Sequence, residues 1–190
     1  MHLAQQFPVL LLNLSSIGGT LLDYLVSLTI TGGEMSVDPL DARILELFAA
    51  EPRVGVLEAS RRLGVARGTV QARLDRLQRD GVVRGWGPDI DTTAIGYPVT
   101  AFATLQIEQG SGHTTVAAAL ARIPEVLEVH TITGAEDLWC RIVARSNADL
   151  QRVIDQVVIV RGIQRASTVI ALAEQIPHRV LPLVEAATKN

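Results

Sequence analysis

Apolar residues between positions 38 and 80 recur every three to four residues, which is the spacing of amphipathic helices. The first helix is predicted to begin at Asp38-Pro39, because aspartate caps free N–H groups and proline suits the first helical position. It is predicted to end before Pro52. The apolar positions of this helix are Leu40, Ile44, Leu47 and Phe48.

Two further helices are predicted over residues 56–63 and 67–80. A glycine follows each of them, Gly64 and Gly81, and glycine readily adopts the left-handed conformation that ends a helix. The apolar stripe of the third helix consists of Val70, Leu74 and Leu77. Together the three helices predict a helix-turn-helix domain over residues 36–84.

The other face of the third helix is small, polar and cationic. A helix that enters the major groove of DNA needs such a front, with small and polar side chains for base edges and cations for phosphate. The residues predicted to contact DNA are Arg61, Arg67, Gly68, Thr69, Gln71, Ala72, Arg73, Arg76 and Arg79. Phosphate is the favoured partner of each arginine, since most protein–DNA hydrogen bonds go to the DNA backbone. An ordinary amphipathic helix with a solvated face of Arg and Asp fits the same pattern.

From Tyr97 onward, apolar and polar residues alternate with the two-residue period of β-strands. Strands are predicted over 99–107, 126–133, 138–144 and 167–173, and helices over 114–122 and 147–160. Asn147 is predicted to cap the second of these helices. The order βαββαβ is that of the ferredoxin-like fold, so the chain is predicted to be α+β.

The ferredoxin-like domain is predicted to span residues 97–176. A linker strand over 85–96 is predicted before it and a C-terminal tail over 177–190 after it. The remaining residues, 1–35, form an apolar N-terminal extension.

The apolar run of this extension is nearly long enough to cross a bilayer. Asp23 and several Gly and Ser residues interrupt it, and no Lys or Arg flanks it, so no membrane partner is predicted. Met35 follows Gly32-Gly33-Glu34, whose codons can spell a purine-rich ribosome-binding sequence. A gene-start artefact, with the native protein beginning at Met35, is therefore an open hypothesis beside a genuine extension.

The formal net charge of −3 argues against a uniformly basic nucleic-acid binder, but the charges are unevenly placed. Between Leu57 and Arg84, seven arginines stand against Glu58, Asp75 and Asp80, a local excess of four positive charges. This excess coincides with the predicted recognition helix, as electrostatic attraction to DNA requires.

Cys140 is the only cysteine, which excludes an intrachain disulfide and fits a reducing cytoplasmic setting. His130 and Cys140 lie on neighbouring predicted strands, and both are expected in the core or an interface rather than at a metal. Trp139 is expected to pack between subunits. The sequence shows no glycine-rich nucleotide motif, paired catalytic carboxylates or catalytic triad, so no catalytic residue, metal or cofactor is predicted.

Several motifs occur in an order that resembles the Lrp/AsnC, or feast/famine, family of transcription regulators. Residues 40–91 resemble its winged helix-turn-helix, and residues 134–137 resemble its Gly-x-x-Asp loop. The matching motifs of the first stretch are Leu40-Asp41, the Arg-Leu-x-Arg-Leu run over 73–77, Asp80-Gly81-Val82-Val83 and a strand at Gly85-Trp86. The turn over 161–168 resembles the last helix-to-strand turn of the family.

The resemblance implies a DNA-binding regulator that responds to a small amino acid, not an enzyme, and acts in the cytoplasm on the nucleoid. It implies that the second domain is a ligand-sensing RAM domain, which forms homodimers that assemble into tetramers or octamers. The implied effector site consists of Gly134, Ala135, Glu136 and Asp137. A positive φ at Gly134 and a turn cap at Asp137 are the purely structural alternatives.

The chain departs from the family pattern at the starts of two helices. Ala66 and Gly55 stand where the family usually has Ser, and Gly68-Thr69 replaces the usual Thr-Pro pair. An alanine N-cap is poorer by roughly 1 kcal/mol. These changes leave the fold intact and the DNA sequence preference open.

Two alternative functions fit the same architecture less well than a regulator. An enzyme similar to the sirohaem decarboxylases shares the two-domain architecture, but the four His residues form no cluster in the sequence. A ligand-binding oligomer without DNA binding is disfavoured by the arginines around the third helix.

Overall fold

A computed structural model describes residues 37–189, which fall into two compact units. Of the described residues, the first unit comprises those from 37 to Trp86 together with Arg179–Lys189, and the second is Gly87–His178. The predictions for residues 1–35 lie outside the described residues. Within residues 37–189, no helix has both the length and the apolar character that a bilayer span requires.

Three helices form the core of the first unit: α1 (Pro39–Ala50), α2 (Val56–Leu63) and α3 (Arg67–Arg79). The bounds of α2 and α3 agree with the predicted ones to within one residue at each end. Helix α1 starts at Pro39 and ends at Ala50, before Pro52 as predicted. The buried cluster between them consists of Ile44, Phe48, Ala59, Val70 and Leu74.

Local signals set the ends of these helices. Asp38 accepts hydrogen bonds from the N–H groups of Leu40 and Asp41, both at 2.9 Å, and Asp41 in turn accepts from the Asp38 N–H at 3.0 Å. This reciprocal arrangement is a capping box. Gly64, with φ of +70°, ends α2 in the left-handed conformation that the sequence predicted.

The second unit is a four-stranded antiparallel sheet with two helices. Its elements are β1 (Val99–Ile107), α4 (His113–Leu120), β2 (Val126–Thr131), β3 (Leu138–Ala144), α5 (Asn147–Val158) and β4 (Ile163–Ile170). The strand order is β2-β3-β1-β4, which confirms the ferredoxin-like α+β prediction. The core lies between α4, α5 and one face of the sheet, with Leu105, Leu120 and Ile142 at its centre.

Two predictions for the second unit need correction. Strand β4 begins at Ile163 and ends at Ile170, not over 167–173, because its pairing with β1 already starts with Ile163 opposite Ile107 and runs to Ile170 opposite Ala101. Ser146, not Asn147, caps α5, and its hydroxyl oxygen accepts the Asp149 N–H at 3.1 Å.

The predicted linker strand over 85–96 is wrong. Within residues 37–189 this segment pairs with no strand, and its second half is a turn in which Tyr97 N–H donates to the Thr92 carbonyl oxygen at 2.8 Å. A strand needs a neighbouring strand for its backbone groups, and here the groups over residues 91–97 bond to one another instead. The Gly85-Trp86 strand of the family pattern is likewise not formed, although the Trp86 ring packs edge-on against Phe48 at 5.4 Å.

The segment predicted as a C-terminal tail contains a short helix, α6 (Leu181–Ala187), which packs against α1. Leu181 and Val184, one turn apart, are its half-buried apolar residues, and Pro182 occupies its first turn. The tail prediction is therefore corrected to a helix that belongs to the first unit.

Candidate functional site

Helix α3 has a buried apolar back and an exposed polar front. Val70, Leu74 and Leu77 are buried, as their spacing predicted. The front residues Arg67, Gly68, Gln71 and Ala72 are exposed, and Thr69 is half-buried. A shallow depression of about 480 Å³ is lined by Gly68, Thr69, Ala72, Arg73 and Arg76. Side chains as small as Gly68 and Ala72 allow a base-pair edge to approach the helix backbone.

Two aspartates at the start of α1 hold Arg73 and Arg76. The Arg73 guanidinium donates to Asp38 and, at 3.0 Å, to Asp41 Oδ1, while Arg76 donates to Asp41 Oδ2. The Asp41 side chain is 0% exposed, whereas the Arg73 and Arg76 side chains are 28% and 38% exposed. We call these four side chains the Asp–Arg clamp, because they tie the N-terminus of α1 to the middle of α3.

The clamp keeps Asp38 and Arg73 charged. Burial by itself would raise the pKa of Asp38, but hydrogen bonds from the Arg73 side chain and from the Asp41 and Leu40 N–H groups outweigh it, so the pKa lies below its ordinary value. Hydrogen bonds to Asp38 and Asp41 raise the pKa of Arg73.

The other side chains predicted to contact DNA differ in exposure and in the contacts that they already form. Arg67 and Arg79, near the two ends of α3, are exposed and form no ion pair with residues 37–189. Arg61 lies 3.7 Å from Glu58 with its side chain 69% exposed, which is a weak contact. Gln71 Nε2 donates to Asp75 Oδ1 at 2.8 Å, so this predicted base-contact residue is engaged one turn along its own helix.

Folding therefore removes part of the local positive charge that the sequence indicated. Three of the seven arginines between Leu57 and Arg84 pair with acids that precede that stretch: Arg62 with Glu51, and Arg73 and Arg76 with the clamp aspartates. The arginines that remain available to a polyanion are Arg61, Arg67, Arg79 and Arg84.

The loop between β2 and β3 contains the four residues predicted to bind an effector. Gly134 has φ of +131°, which favours glycine. The Ala135 carbonyl oxygen accepts from Gln106 Nε2 at 3.2 Å, which ties the loop to the end of β1. The structure thus brings Gly134, Ala135, Glu136 and Asp137 together at one edge of the sheet.

Asp137 anchors this loop. Its Oδ2 accepts the Ile107 N–H at 2.8 Å, and its own N–H donates to the Leu105 carbonyl oxygen at 2.9 Å. These contacts fit the structural alternative, in which Asp137 fixes a turn.

Glu136 is the residue of the loop with unused hydrogen-bonding capacity. Its Oε2 atom is buried and accepts no hydrogen bond from residues 37–189. The N–H groups of Gly134 and Ala135 donate to no acceptor in the same range. Within the described residues, one loop therefore contains a buried carboxylate oxygen and N–H groups without partners, and these groups are complementary to an ammonium and a carboxylate respectively.

Comparison with known proteins decides the family. The model of the "Lrp/AsnC ligand binding domain" matches residues 100–181, and that of a "winged helix-turn-helix DNA-binding" domain matches residues 37–84. A helix-turn-helix-type transcriptional regulator of Pyrococcus abyssi is 32% identical over 136 residues, covering 71% of this chain and 85% of the relative. The chain belongs to the Lrp/AsnC family.

Solved Lrp/AsnC structures share the architecture. Escherichia coli AsnC has a TM-score of 0.71 and 26% identity, with 77% of this chain and 99% of AsnC covered. The feast or famine regulatory protein from M. tuberculosis, complexed with L-methionine, has a TM-score of 0.68 and 25% identity, with 75% and 97% covered. The chain is therefore a transcription regulator with an N-terminal DNA-binding and a C-terminal ligand-binding domain, as the sequence predicted.

The start of α3 departs from the Lrp/AsnC pattern in a way that the structure makes concrete. Ala66 is the N-cap, and like Gly55 before α2 it provides no side-chain hydrogen bond. The N–H groups of Arg67 and Gly68 find no acceptor within residues 37–189. Free N–H groups at a helix start attract anions, so the backbone of α3 adds two donors to its front.

Sequence reasoning missed the charge role of Asp38 and Asp41. The sequence pattern predicts Asp38 only as a helix cap, and Asp41 only as part of the Leu-Asp motif of Lrp/AsnC regulators. A signal was present, because two acids three residues apart and two arginines three residues apart each share one helix face. What the sequence could not indicate was that these two faces meet.

His130 and Cys140 do not form a joint site in this Lrp/AsnC chain. Cys140 lies opposite Val129, so it points to the face opposite to that of His130. Cys140 is fully buried, and burial raises the pKa of its thiol to about 11, whereas the His130 side chain is 60% exposed. The thiol stays protonated and unreactive at neutral pH.

The sheet face away from the helices is aromatic. The Phe102 and Trp139 rings stack with centroids 5.2 Å apart, and His130 lies 5.5 Å from Trp139. Val169 on the edge strand is 62% exposed. Within residues 87–178, no helix packs on this face, where the Nε atom of Arg141 is buried without a hydrogen-bond partner.

Proposed function

We propose that this Lrp/AsnC regulator binds double-stranded DNA through the front of α3, and that a small amino acid bound at the loop over residues 134–137 changes its DNA affinity or its oligomeric state. The observation that carries the DNA-binding part is the division of α3 into a buried back and an exposed front of small residues flanked by free arginines. A helix so divided can enter the major groove while its own core stays intact.

The front of α3 supports a specific distribution of contacts. Arg61, Arg67 and Arg79 contact phosphates, since they are exposed and lack a close, well-aligned carboxylate. Gly68, Thr69 and Ala72 face base edges. Gln71 reaches a base by exchanging its hydrogen bond to Asp75 for one to the base.

The effector proposal rests on Glu136. An amino acid carries an ammonium and a carboxylate on one carbon, and in this loop one carboxylate oxygen and two N–H groups bond to nothing within residues 37–189. Because the Glu136 Oε2 atom is buried, its side chain must rotate to meet the ammonium. The L-methionine complex of the M. tuberculosis relative supports an amino acid as the ligand class. Regulator names among the relatives favour this function over that of a decarboxylase.

Self-association completes the proposal. Two copies pair through the aromatic sheet face that carries Phe102 and Trp139, and the dimers assemble further into tetramers or octamers. A dimer places two α3 helices at the spacing of successive major grooves, so the DNA site is expected to be nearly palindromic.

A DNA-binding experiment tests the first part. Fluorescence anisotropy with DNA from upstream of its own gene should show sequence-specific binding that weakens with salt. Arg67→Ala should reduce the magnitude of the salt slope by about 1, which is the loss of one phosphate contact. Arg122→Ala, an exposed arginine of the second unit, is the control and should leave the slope unchanged. No sequence-specific binding, with or without any standard amino acid, would refute this part.

A thermal-shift screen of the full chain tests the second part. A ligand present at a hundredfold excess over Kd stabilises the native state by about 2.7 kcal/mol, so an effector should raise Tm clearly. Glu136→Gln keeps the shape of the side chain and removes its charge, and should abolish that rise. The exposed Glu174→Gln is the control and should retain it. The proposal fails if no amino acid raises Tm, or if Glu136→Gln responds like the wild type.

A further inference from the structure

We infer that Arg73 and Arg76 are positioning residues rather than phosphate ligands: through Asp38 and Asp41 they fix α3 against the start of α1 and so set how the front of α3 meets DNA. This inference rests on the proposed DNA-binding function. It replaces the expectation that every arginine of α3 contacts a phosphate, and it assigns a role to two acids that lie outside the recognition helix.

The geometry of the clamp supports a fixed connection. Asp41 is fully buried and uses both carboxylate oxygens, Oδ1 toward Arg73 and Oδ2 toward Arg76. Asp38 joins the same network while its other oxygen caps α1 through the N–H groups of Leu40 and Asp41. The aspartates are thus locked to the backbone of α1, and the arginines one turn apart carry that constraint to α3.

Charge makes the clamp hard to open. If Arg73 and Arg76 turned toward phosphate, the buried carboxylate of Asp41 would remain without a cation, and an uncompensated buried charge is strongly unfavourable. The two arginines also lie less exposed than Arg61, whose side chain is 69% exposed against 28% and 38% for Arg73 and Arg76. The depression on the α3 front is bounded by both arginines, so a shift of the clamp changes the shape of the surface that faces the bases.

Substitution of the two aspartates distinguishes positioning from phosphate binding, because the two roles predict opposite changes in DNA affinity. If Arg73 and Arg76 bind phosphate, Asp41→Asn frees them and removes a negative charge, so DNA affinity rises. If they position α3, Asp41→Asn loosens the clamp and affinity for the specific site falls. Asp38→Asn is the second variant, since asparagine keeps the helix cap while it loses the charge that holds Arg73.

The experiment uses the full chain and two duplexes, one selected from a random pool by the wild type and one scrambled. Asp41→Asn should weaken binding to the selected duplex by roughly tenfold, the equivalent of one lost base contact, and leave binding to the scrambled duplex within about twofold. The salt slope should not fall. Asp38→Asn should act in the same direction with a smaller change.

Asp75→Asn is the matched control. It removes an exposed acid from the front of α3 that bonds only to Gln71 within residues 37–189. This variant should strengthen binding to both duplexes, because it reduces repulsion of phosphate while the asparagine amide oxygen can still accept the Gln71 hydrogen bond.

Two results would overturn the inference: tighter binding of both duplexes by Asp41→Asn and Asp38→Asn, or a salt slope for Arg73→Ala that falls as it does for Arg67→Ala. If Asp41→Asn unfolds at the assay temperature, Asp38→Asn, which retains its helix cap, shows whether DNA affinity rises or falls. If the wild type selects no sequence from the pool, the DNA-binding proposal itself fails, and this outcome is distinct from any result on the variants.

Discussion

Each of the two units buries one carboxylate among the described residues, and the two are held differently. In the first unit, Asp41 is fully buried and bonds to arginines on another helix. In the second unit, Glu125 is 8% exposed and bonds at 2.6 Å to Arg152, whose side chain is itself 46% exposed. The Asp41 contacts join α1 to α3 beside the small core, whereas the Glu125 contact joins the residue before β2 to α5 beside a larger one.

The sizes of the two cores explain why this difference matters. The buried apolar cluster of the second unit contains thirteen residues, and that of the first contains five. Burial of apolar surface contributes roughly 25 cal/mol per Å², so a small cluster leaves a larger share of stability to polar contacts. The ligand-binding unit is therefore held mainly by packing, and the DNA-binding unit depends in addition on the Asp–Arg clamp.

The two tryptophans allow each unit to be followed separately. Trp86 lies in the first unit and Trp139 in the second. Denaturation of a Trp139→Phe chain, monitored by fluorescence, reports on the DNA-binding unit, and a Trp86→Phe chain reports on the ligand-binding unit. The stability of each unit is therefore measured in the chain that keeps only that unit's tryptophan.

The largest effect is expected from the core of the second unit. Ile142 is 0% exposed at the centre of β3, so Ile142→Ala should lower the free energy of unfolding of this unit by about 3–4 kcal/mol through lost burial and a cavity. Trp139 fluorescence in a urea titration measures the change. Because the loss is apolar, it should be nearly the same in low and high salt, and a strong salt dependence would contradict the contrast between the units.

The two buried carboxylates give a direct comparison of intermediate size. Asp41→Asn should destabilise the first unit by about 2 kcal/mol, below the usual range for a broken buried pair because its arginines are partly exposed. Glu125→Gln should cost the second unit less, about 1 kcal/mol or below. Urea midpoints of the two single-tryptophan chains provide the measurement. Equal losses would show that core size does not determine how much each buried carboxylate contributes to the free energy of unfolding.

Acid should weaken the first unit through Asp38. Its pKa is lowered in the folded state, so its contribution to stability is present above the unfolded pKa of about 3.9 and is lost as pH falls through the folded value. Asp38 faces Asp41 and Arg73, and Arg76 completes the same network. The urea midpoint reported by Trp86 should fall between about pH 5 and pH 3, and Asp38→Asn should flatten that fall. If Asp38→Asn shows the same pH profile as the parent chain, the loss of stability in acid does not come from Asp38.

The helices of the first unit could be predicted closely because their signals are local. A cap, a proline and a following glycine each lie within a few residues of the end they determine, as Asp38, Pro39 and Gly64 illustrate. The ends of strands are set by partners elsewhere in the chain. Strand β4 begins at Ile163, where it pairs with Ile107 of β1, and the 85–96 segment, which has no partner in the described part of the chain, is not a strand.

The residues of the candidate site could be predicted from the sequence, but the ion pairs that occupy some of its arginines could not. The α3 front was found from its period and composition, whereas the pairing of Arg73 with Asp38 spans 35 positions and has no local signal. The same limit applied to Glu136, whose free Oε2 depends on how the loop packs. A count of charges along a stretch of sequence therefore overestimates the number of cations that a folded surface offers to DNA.

A gain in stability, rather than a loss, is expected at the start of α3, where Ala66 leaves the first turn without a side-chain cap. Ala66→Ser should stabilise the first unit by about 1 kcal/mol, because a serine hydroxyl can accept an N–H of the first turn. The backbone at Ala66 is already extended, with φ of −64° and ψ of 145°, so the new cap requires no rearrangement. The urea midpoint from Trp86 fluorescence measures the gain, and Ala72→Ser, in the middle of the same helix, should give none.

The same variant tests whether the free N–H groups at the start of α3 contact DNA. If Ala66→Ser also weakens DNA binding, these N–H groups bind DNA. If binding is unchanged, Ala66 lowers stability without improving recognition, and the front of α3 contacts DNA through its side chains alone.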